Sequence, residues 1–223
     1  MAVIGGTGAE GGGLALRLAK AGRMVRIGSR TAEKAQEAAR RIAESSAGAV
    51  TGHANPEAAA GAGLIIVTVP LAAQVEILKS IRGSLSAGAI LIDATVPLEV
   101  AIGGRVSRTL TLWDGSAAQQ AARLVPEGVH VVAGFHALSA EALARLDRPV
   151  ECDTLLCGDS AQAKAAVREL AGLIPGVRAI DAGPLDNARL LENAAALLIS
   201  LNLRHKVKSS GMRITGLAEE PDS

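Results

Sequence analysis

The chain has 223 residues, 49% of them apolar and 20% charged, with a net charge of +1. That length suits one large domain, or one domain with a small lobe, and the near-neutral balance excludes a surface built for nucleic acid or an acidic solvating tail. A single Phe and a single Trp leave no aromatic platform for stacking bases, and no apolar run reaches the ~18 residues of a membrane span.

A short apolar strand, Ala2 to Ile4, runs into Gly6-Thr7-Gly8-Ala9-Glu10-Gly11, and an apolar helix is expected from Gly13 to Ala21. Between a strand and a helix, this glycine spacing cradles a pyrophosphate. Gly6 permits the tight turn, Gly8 lets the backbone approach the anion, and Gly11 lets the helix pack on the strand. Gly22 stops the helix, and Met24 to Gly28 reads as a buried second strand. An NAD site carries Asp or Glu at the end of that strand, roughly 20 residues past the glycines. This chain has Ser29-Arg30-Thr31 instead, with Lys34 one helical turn on. A hydroxyl, a guanidinium and an ammonium suit a 2′-phosphate, whereas cations at a helix start oppose its macrodipole. The residues select NADP(H) over NAD(H).

Thr31 reads as the N-cap of an alanine-rich helix to about Ser45, followed by a short strand over Ala49 to Gly52. Asn55-Pro56-Glu57 reads as a helix start with Asn55 as its capping side chain. Leu64 to Val69 is a continuous apolar strand ending at Pro70, then a helix over Ala72 to Ile81 and a buried strand over Ala89 to Asp93. Between Thr95 and Leu112 the signals are mixed, with a loop at Gly103-Gly104 and an apolar patch from Thr109 to Trp113. Ser116 caps a helix to Leu124, Val129 to Phe135 is a strand, and Ser139 caps a helix with Glu141 in its first turn. Two more strands, Thr154 to Cys157 and Arg178 to Asp181, flank a helix from Ser160 to about Leu173. This alternation predicts an α/β fold of Rossmann type, a doubly wound and mostly parallel sheet.

From Asp186 the pattern changes. Asp186-Asn187 reads as the cap of a long helix carrying Leu190, Ala194, Leu197, Leu198 and Leu201 on one broad apolar face. That face needs a partner, the sheet domain, another subunit or both, and a homodimer is expected. A basic run, Arg204 to Lys208, follows, and Ala218 to Ser223 is expected to fray. The domain reading is therefore a Rossmann domain over 1–184 and a small helical lobe over 185–223. Cys152 and Cys157, five apart on a strand, face opposite sides as free thiols of a reducing compartment. No leader precedes the first strand, whose shortness suggests a residue or two missing ahead of Met1; the expectation is a soluble, cytoplasmic protein.

No Ser-His-Asp or Cys-His arrangement is evident, and His53, His130, His136 and His205 have no metal-ligand spacing, so no catalytic residue and no metal is assigned. That emptiness suits direct transfer between two redox cofactors, which carry the chemistry themselves; it equally suits a protein that only binds. Asp93-Ala-Thr-Val-Pro97 has two readings: a sheet edge presenting a ligand, or a turn whose side chains satisfy local amides. His136 in isolation reads as a strand-end histidine satisfied by backbone, or as a hydrogen-bond donor to a ligand.

The segments Gly5–Gly11, Ile27-Gly-Ser-Arg30 with Lys34, Asp181-Ala-Gly-Pro-Leu-Asp-Asn-Ala-Arg189 and Gly211-Met-Arg-Ile-Thr215 together resemble the NADPH-dependent reductases of the 8-hydroxy-5-deazaflavin coenzyme F420, and the similarity covers nearly the whole chain. The resemblance implies hydride transfer between NADPH and the deazaflavin, stacked in a cleft at the sheet's carboxyl edge. It implies that Thr7, Gly8, Ala9 and Glu10 line the pyrophosphate turn, that Ser29, Arg30 and Lys34 hold the 2′-phosphate, and that Leu71, Val75, Leu98 and Ala140 line the nicotinamide side. His136 falls beside the deazaflavin ring, whose cleft the 185–223 lobe completes. Small-molecule cofactors are then the only partners besides a second copy of the chain. Glu10 departs from expectation: a carboxylate in a phosphate turn should repel unless it points to solvent. The stretches 100–114 and 140–151 match weakly. The Arg204 to Lys208 cluster either attracts the coenzyme's acidic tail or is a solvated helix end. A reductase of another small acceptor, or a non-catalytic NADPH sensor, would share the same turn and the same Arg30.

Overall fold

Side chains alternate along the strands, and both sets are apolar. In β1 (Ala2–Ile4), Ala2 and Ile4 join one buried cluster and Val3 the other; in β4 (Leu64–Val67) and β5 (Ile90–Asp93), Ile65, Val67 and Leu91 oppose Ile66 and Ile92. A sheet apolar on both faces must be covered on both. Helices α1 (Ala9–Lys20), α2 (Ala32–Ser46) and α7 (Ala161–Gly172) cover the Val3 side, and α3 (Asn55–Ala59), α4 (Leu71–Ile81) and α5 (Ala117–Leu124) the other. The computed structural model describes residues 1–217; the Ala218–Ser223 segment, expected to fray, lies outside the described residues. No helix among them is long and apolar enough to cross a membrane.

The remaining strands are β2 (Val25–Ser29), β3 (Val50–Ala54), β6 (His130–Ala133), β7 (Cys152–Gly158) and β8 (Val177–Asp181), and the order across the sheet is β3-β2-β1-β4-β5-β6-β7-β8. Every pairing is parallel except β6 with β7, which meet antiparallel through Val132 and Gly158, Ala133 and Cys157. The expected doubly wound, mostly parallel sheet is what forms. Its direction of winding reverses between β1 and β4, so a crevice opens at their carboxyl ends. Cys152 and Cys157 are buried free thiols in the two opposite clusters.

The glycine run behaves differently from the sequence expectation. Helix α1 starts at Ala9 rather than Gly13, so Gly11, Gly12 and Gly13 are all helical. Glycine costs a helix about 1 kcal/mol per residue, and close packing accounts for two of the three. A Cβ on Gly11 would lie 2.3 Å from Thr68 Oγ1, and one on Gly13 would lie 2.7 Å from Leu143 Cβ. The tight turn itself needs Gly5, at φ 84°, rather than Gly6; a Cβ on Gly6 would instead press on the Val3 carbonyl and Ile27 at 3.0 Å. Helix α6 (Ala140–Ala144) is held against α1 by Arg17, only 4% exposed, whose guanidinium donates to the carbonyls of Ala142, Leu143 and Arg148 at 2.9 Å each, and to that of Arg145. A cation there complements the helix's C-terminal carbonyls.

Ser116 and Ser139 cap their helices as expected, accepting from the amides of Gln119 and Ala142; Ser160, read as the first residue of its helix, is also a cap and accepts from the Ala163 amide. Three other caps do not form. Thr31 makes no side-chain cap bond, and Asn55 lies inside α3 behind Ala54. Before α8 (Ala188–His205), a 3-10 turn over Leu185–Asn187 feeds directly into the helix. Asn187 there donates to the Ala182 carbonyl at 2.8 Å, and Asp186 accepts from Gln119 Nε2 at 2.8 Å. The apolar face of α8 also splits: Leu191 and Leu198 turn inward, while Leu190, Leu197 and Leu201 form an outer stripe, 55%, 60% and 37% exposed.

After α8 the chain doubles back as a strap. Met212 accepts from the Asp153 amide at 2.8 Å, along the part of β7 that β6 does not reach. Asp153, fully buried, takes Arg178 (2.7 Å), Arg213 (2.9 Å) and the Ile214 amide (2.6 Å). Burial alone would raise its pKa; the two arginines and the amide outweigh that and hold it at about 2.

Candidate functional site

The carboxyl ends of β1, β4, β5 and β6 open on one cavity of about 660 Å³. Gly8, Ala9 and Glu10 enter it from the β1–α1 turn, Thr68 to Leu71 from the end of β4, and Ala94, Val96 and Leu98 from beyond β5. His136 to Ala140 follow β6. The C-terminal half of α8 (Ala195, Leu198, Ile199, Asn202) and the strap residues Lys208 and Ser210 complete the wall. Thr109 on the 95–112 loop reaches Asn193 of α8 at 2.6 Å, and Leu98 bridges back to Thr109, so this loop is tied to α8 beside the cavity.

Of the residues singled out in the sequence, the cavity brings together Gly8, Ala9, Glu10, Leu71, Leu98, His136 and Ala140. Gly6 and Gly11 lie under the turn and Thr7 is exposed on it. Val75, one turn further along α4 than Leu71, is 36% exposed and does not line the cavity. Ser29, Arg30 and Lys34 sit outside it as well, Ser29 closing β2 and the two cations exposed at the β2–α2 corner. The N-cap of α1 is Gly8, so no side chain occupies the first-turn amides. Such an end attracts anions.

Glu10 does not point to solvent, as the repulsion argument required. Its Oε1 is enclosed and has no hydrogen-bond partner. Burial, with a smaller push from Asp93, raises its pKa to about 8. At neutral pH it is an uncharged acid, and the expected clash with a phosphate turn is removed by a proton.

Asp93 resolves toward the turn reading. Fully buried, it accepts from the Thr95 amide at 2.9 Å and from Gln74 Nε2 at 2.8 Å, and Gln74 in turn accepts from Gln120 at 2.7 Å. Burial raises it to about 6 against these hydrogen bonds. A third carboxyl escaped the sequence reading. Glu192, 1% exposed on α8, is raised to about 8 by burial despite accepting from the Ala118 amide at 3.2 Å. Its signal was present as a lone acid between Leu191 and Ala195 on an apolar helix face. His136 is the converse case: neither enclosed ring nitrogen makes a hydrogen bond of good geometry, the nearby Thr95 backbone gives only a weak pull toward the charged form, and burial drops its pKa to about 4. It is a neutral imidazole, with a small void lined by Leu155, Leu191 and Met212 behind it.

A parallel sheet with a glycine-rich β1–α1 turn and a cavity across its winding reversal defines a Rossmann-type nucleotide-binding fold. The comparisons narrow that class. The family described as "NADP oxidoreductase coenzyme F420-dependent" matches residues 1–97. The F420-dependent NADP reductase of Methanothermobacter thermautotrophicus is 49% identical over 99% of this chain and 96% of its own, and that of Methanocaldococcus jannaschii is 40% identical over 97% and 98%. The chain belongs to the F420-dependent NADP reductase family. A crystal structure from Arthrobacter sp. FB24 superposes with a TM-score of 0.82 at 25% identity, covering 96% of this chain and 98% of that one. An imine reductase from Bacillus cereus shares the fold at a TM-score of 0.64 and 18% identity, with 92% of this chain covering 62% of that one.

Proposed function

We propose that this protein transfers a hydride directly between NADPH and coenzyme F420, with the two ring systems stacked in the 660 Å³ cavity. The observation that carries this reading is the composition of the cavity's ends: an anion-seeking helix start at Gly8–Glu10, and the unpartnered imidazole of His136 across the same space. The two cofactors supply the redox chemistry, hydride passing between nicotinamide and deazaflavin in the direction that their ratios set. The protein's contribution is alignment and exclusion of water.

In this reading the amides following Gly8 cradle the pyrophosphate, and Gly6, Thr7 and Gly11 shape that turn. Ser29, Arg30 and Lys34 grip the 2′-phosphate from the β2–α2 corner. Leu71, Leu98 and Ala140 pack the nicotinamide, with Val75 supporting Leu71 from the next turn of α4 rather than touching the ring. His136, held neutral by burial, donates one N–H to a deazaflavin carbonyl, where negative charge develops. Glu10 retains its proton, so the anionic turn meets no like charge. Residues 185–217 act as a lobe over the deazaflavin side. The outer stripe of Leu190, Leu197 and Leu201 is the face of a homodimer, and the cytoplasm is the compartment.

The test is a mixture of protein, NADPH and oxidised coenzyme F420, followed by loss of the deazaflavin's visible absorbance. Steady turnover is expected. Tight NADPH binding with no turnover of F420 would overturn the assignment in favour of a sensor or of another acceptor.

A further inference from the structure

Among the described residues, three on the cavity wall can ionise: Glu10, His136 and Lys208. The first is a neutral acid and the second a neutral base at pH 7, so Lys208 carries the one formal charge on the wall. It is exposed, and no carboxylate pairs with it among the described residues. Its backbone is fixed. Ser139 Oγ donates to the Lys208 carbonyl at 3.0 Å, and the Ser210 amide donates to Asn202 Oδ1 at 3.1 Å. Five residues on, Arg213 anchors the strap to Asp153 and Glu151.

Lys208 sits away from the corner that takes the 2′-phosphate of the nicotinamide cofactor. The strap is anchored on β7, five strand intervals from β2 and the Arg30 corner, about 24 Å at ~4.8 Å per interval. Arg204, His205 and Lys206 immediately precede it and are all exposed. The rim at this end of an otherwise uncharged cavity is therefore cationic.

We propose that Lys208 is the residue that reads the anionic tail of the second substrate, binding its phosphodiester or carboxylate groups at the rim while the ring enters the apolar interior. This deepens the hydride-transfer reading and rests on it. Arg204 and Lys206 add longer-range attraction and no fixed contact. Tail recognition at the rim separates affinity from chemistry, because the charge contacts lie away from the reacting carbon and act equally before and during transfer.

The experiment compares three acceptors: the intact coenzyme, a form ending at its phosphate, and a tail-less 8-hydroxy-5-deazaflavin bearing only its sugar-alcohol chain. KM and kcat are measured with wild type, Lys208→Ala and Lys208→Arg, alongside equilibrium Kd values from quenching of deazaflavin fluorescence. Lys208→Ala should raise KM and Kd for the intact coenzyme about three- to tenfold. It should leave kcat, NADPH affinity and the tail-less KM within twofold of wild type. Lys208→Arg should restore binding, and added salt should shrink the wild-type preference for the tailed forms. Dependence on Lys208 that persists in the phosphate-ended form assigns the phosphate as the group read; dependence confined to the intact coenzyme assigns the carboxylates. An equal change for tailed and tail-less acceptors, or no change for either, overturns the proposal. Absence of wild-type turnover with every acceptor would sink the reductase reading instead, and the fluorescence Kd values would still decide the role of Lys208.

Discussion

Glu10 offers a stability prediction whose sign can be worked from the structure. Unfolded, its carboxyl titrates at the ordinary 4.5; folded, burial and then Asp93 lift it to about 8. A raised folded pKa means stability that is fully present below pH 4.5 and lost as pH rises through about 8. At about 1.4 kcal/mol per pH unit the loss is about 3 kcal/mol by pH 7 and about 5 kcal/mol above pH 8. The residue is only partly enclosed, although its Oε1 is fully so, and screening trims these figures to about 2 and about 3 kcal/mol. Glu10→Gln keeps the shape and has no proton to lose. The variant should match wild type near pH 4.5, exceed it by about 2 kcal/mol at pH 7 and by about 3 kcal/mol at pH 9. Urea unfolding of both proteins at pH 5, 7 and 9 measures the difference, and the raised Asp93 and Glu192 cancel because both proteins contain them. A wild-type-minus-variant difference that stays flat from pH 5 to 9 would refute the claim that Glu10 is a buried neutral acid. The same proton predicts that NADP+ affinity of the wild type weakens above pH 8, while that of Glu10→Gln does not.

Other expectations follow from the same geometry. Arg30→Ala should raise the Kd for NADPH about ten- to a hundredfold, the value of one charge-assisted contact, and leave NADH binding unchanged in calorimetric titration. Gly11→Ala should lower stability by about 2 kcal/mol and weaken NADPH binding, because its Cβ would meet Thr68 Oγ1 at 2.3 Å and the Gly5 carbonyl at 2.8 Å; an unchanged melting temperature would show that the helix has room to shift. His136→Ala should cut F420 turnover about ten- to a hundredfold with little change in NADPH affinity, and equal losses in both would remove its assigned role. Leu197→Glu on the 60%-exposed stripe of α8 should convert a dimer to monomers in sedimentation, with the far-UV spectrum unchanged.

What could be read from the chain divides by distance along it. The caps at Ser116 and Ser139 were legible because a cap is settled within three residues, and the strands because a doubly covered sheet must be apolar throughout. The caps at Asn55 and Asn187 misled for the same local reason: each has the right residue type, but the backbone joins the helix one residue earlier or through a 3-10 turn. The glycines show where local reading stops. A glycine-rich turn can be recognised from spacing, yet the need for Gly11 and Gly13 is set by Thr68 and Leu143, which only the fold brings to them. Glu10 carries the point furthest. In the sequence it is an acid in a phosphate turn and counts against the site. In the fold it shares a buried edge with Asp93, which couples in turn to Glu192 on α8. Segments far apart in the chain together decide that it keeps its proton. The charge of a residue at such a turn is thus a tertiary property, and a carboxylate there is no argument against phosphate binding until its burial is known.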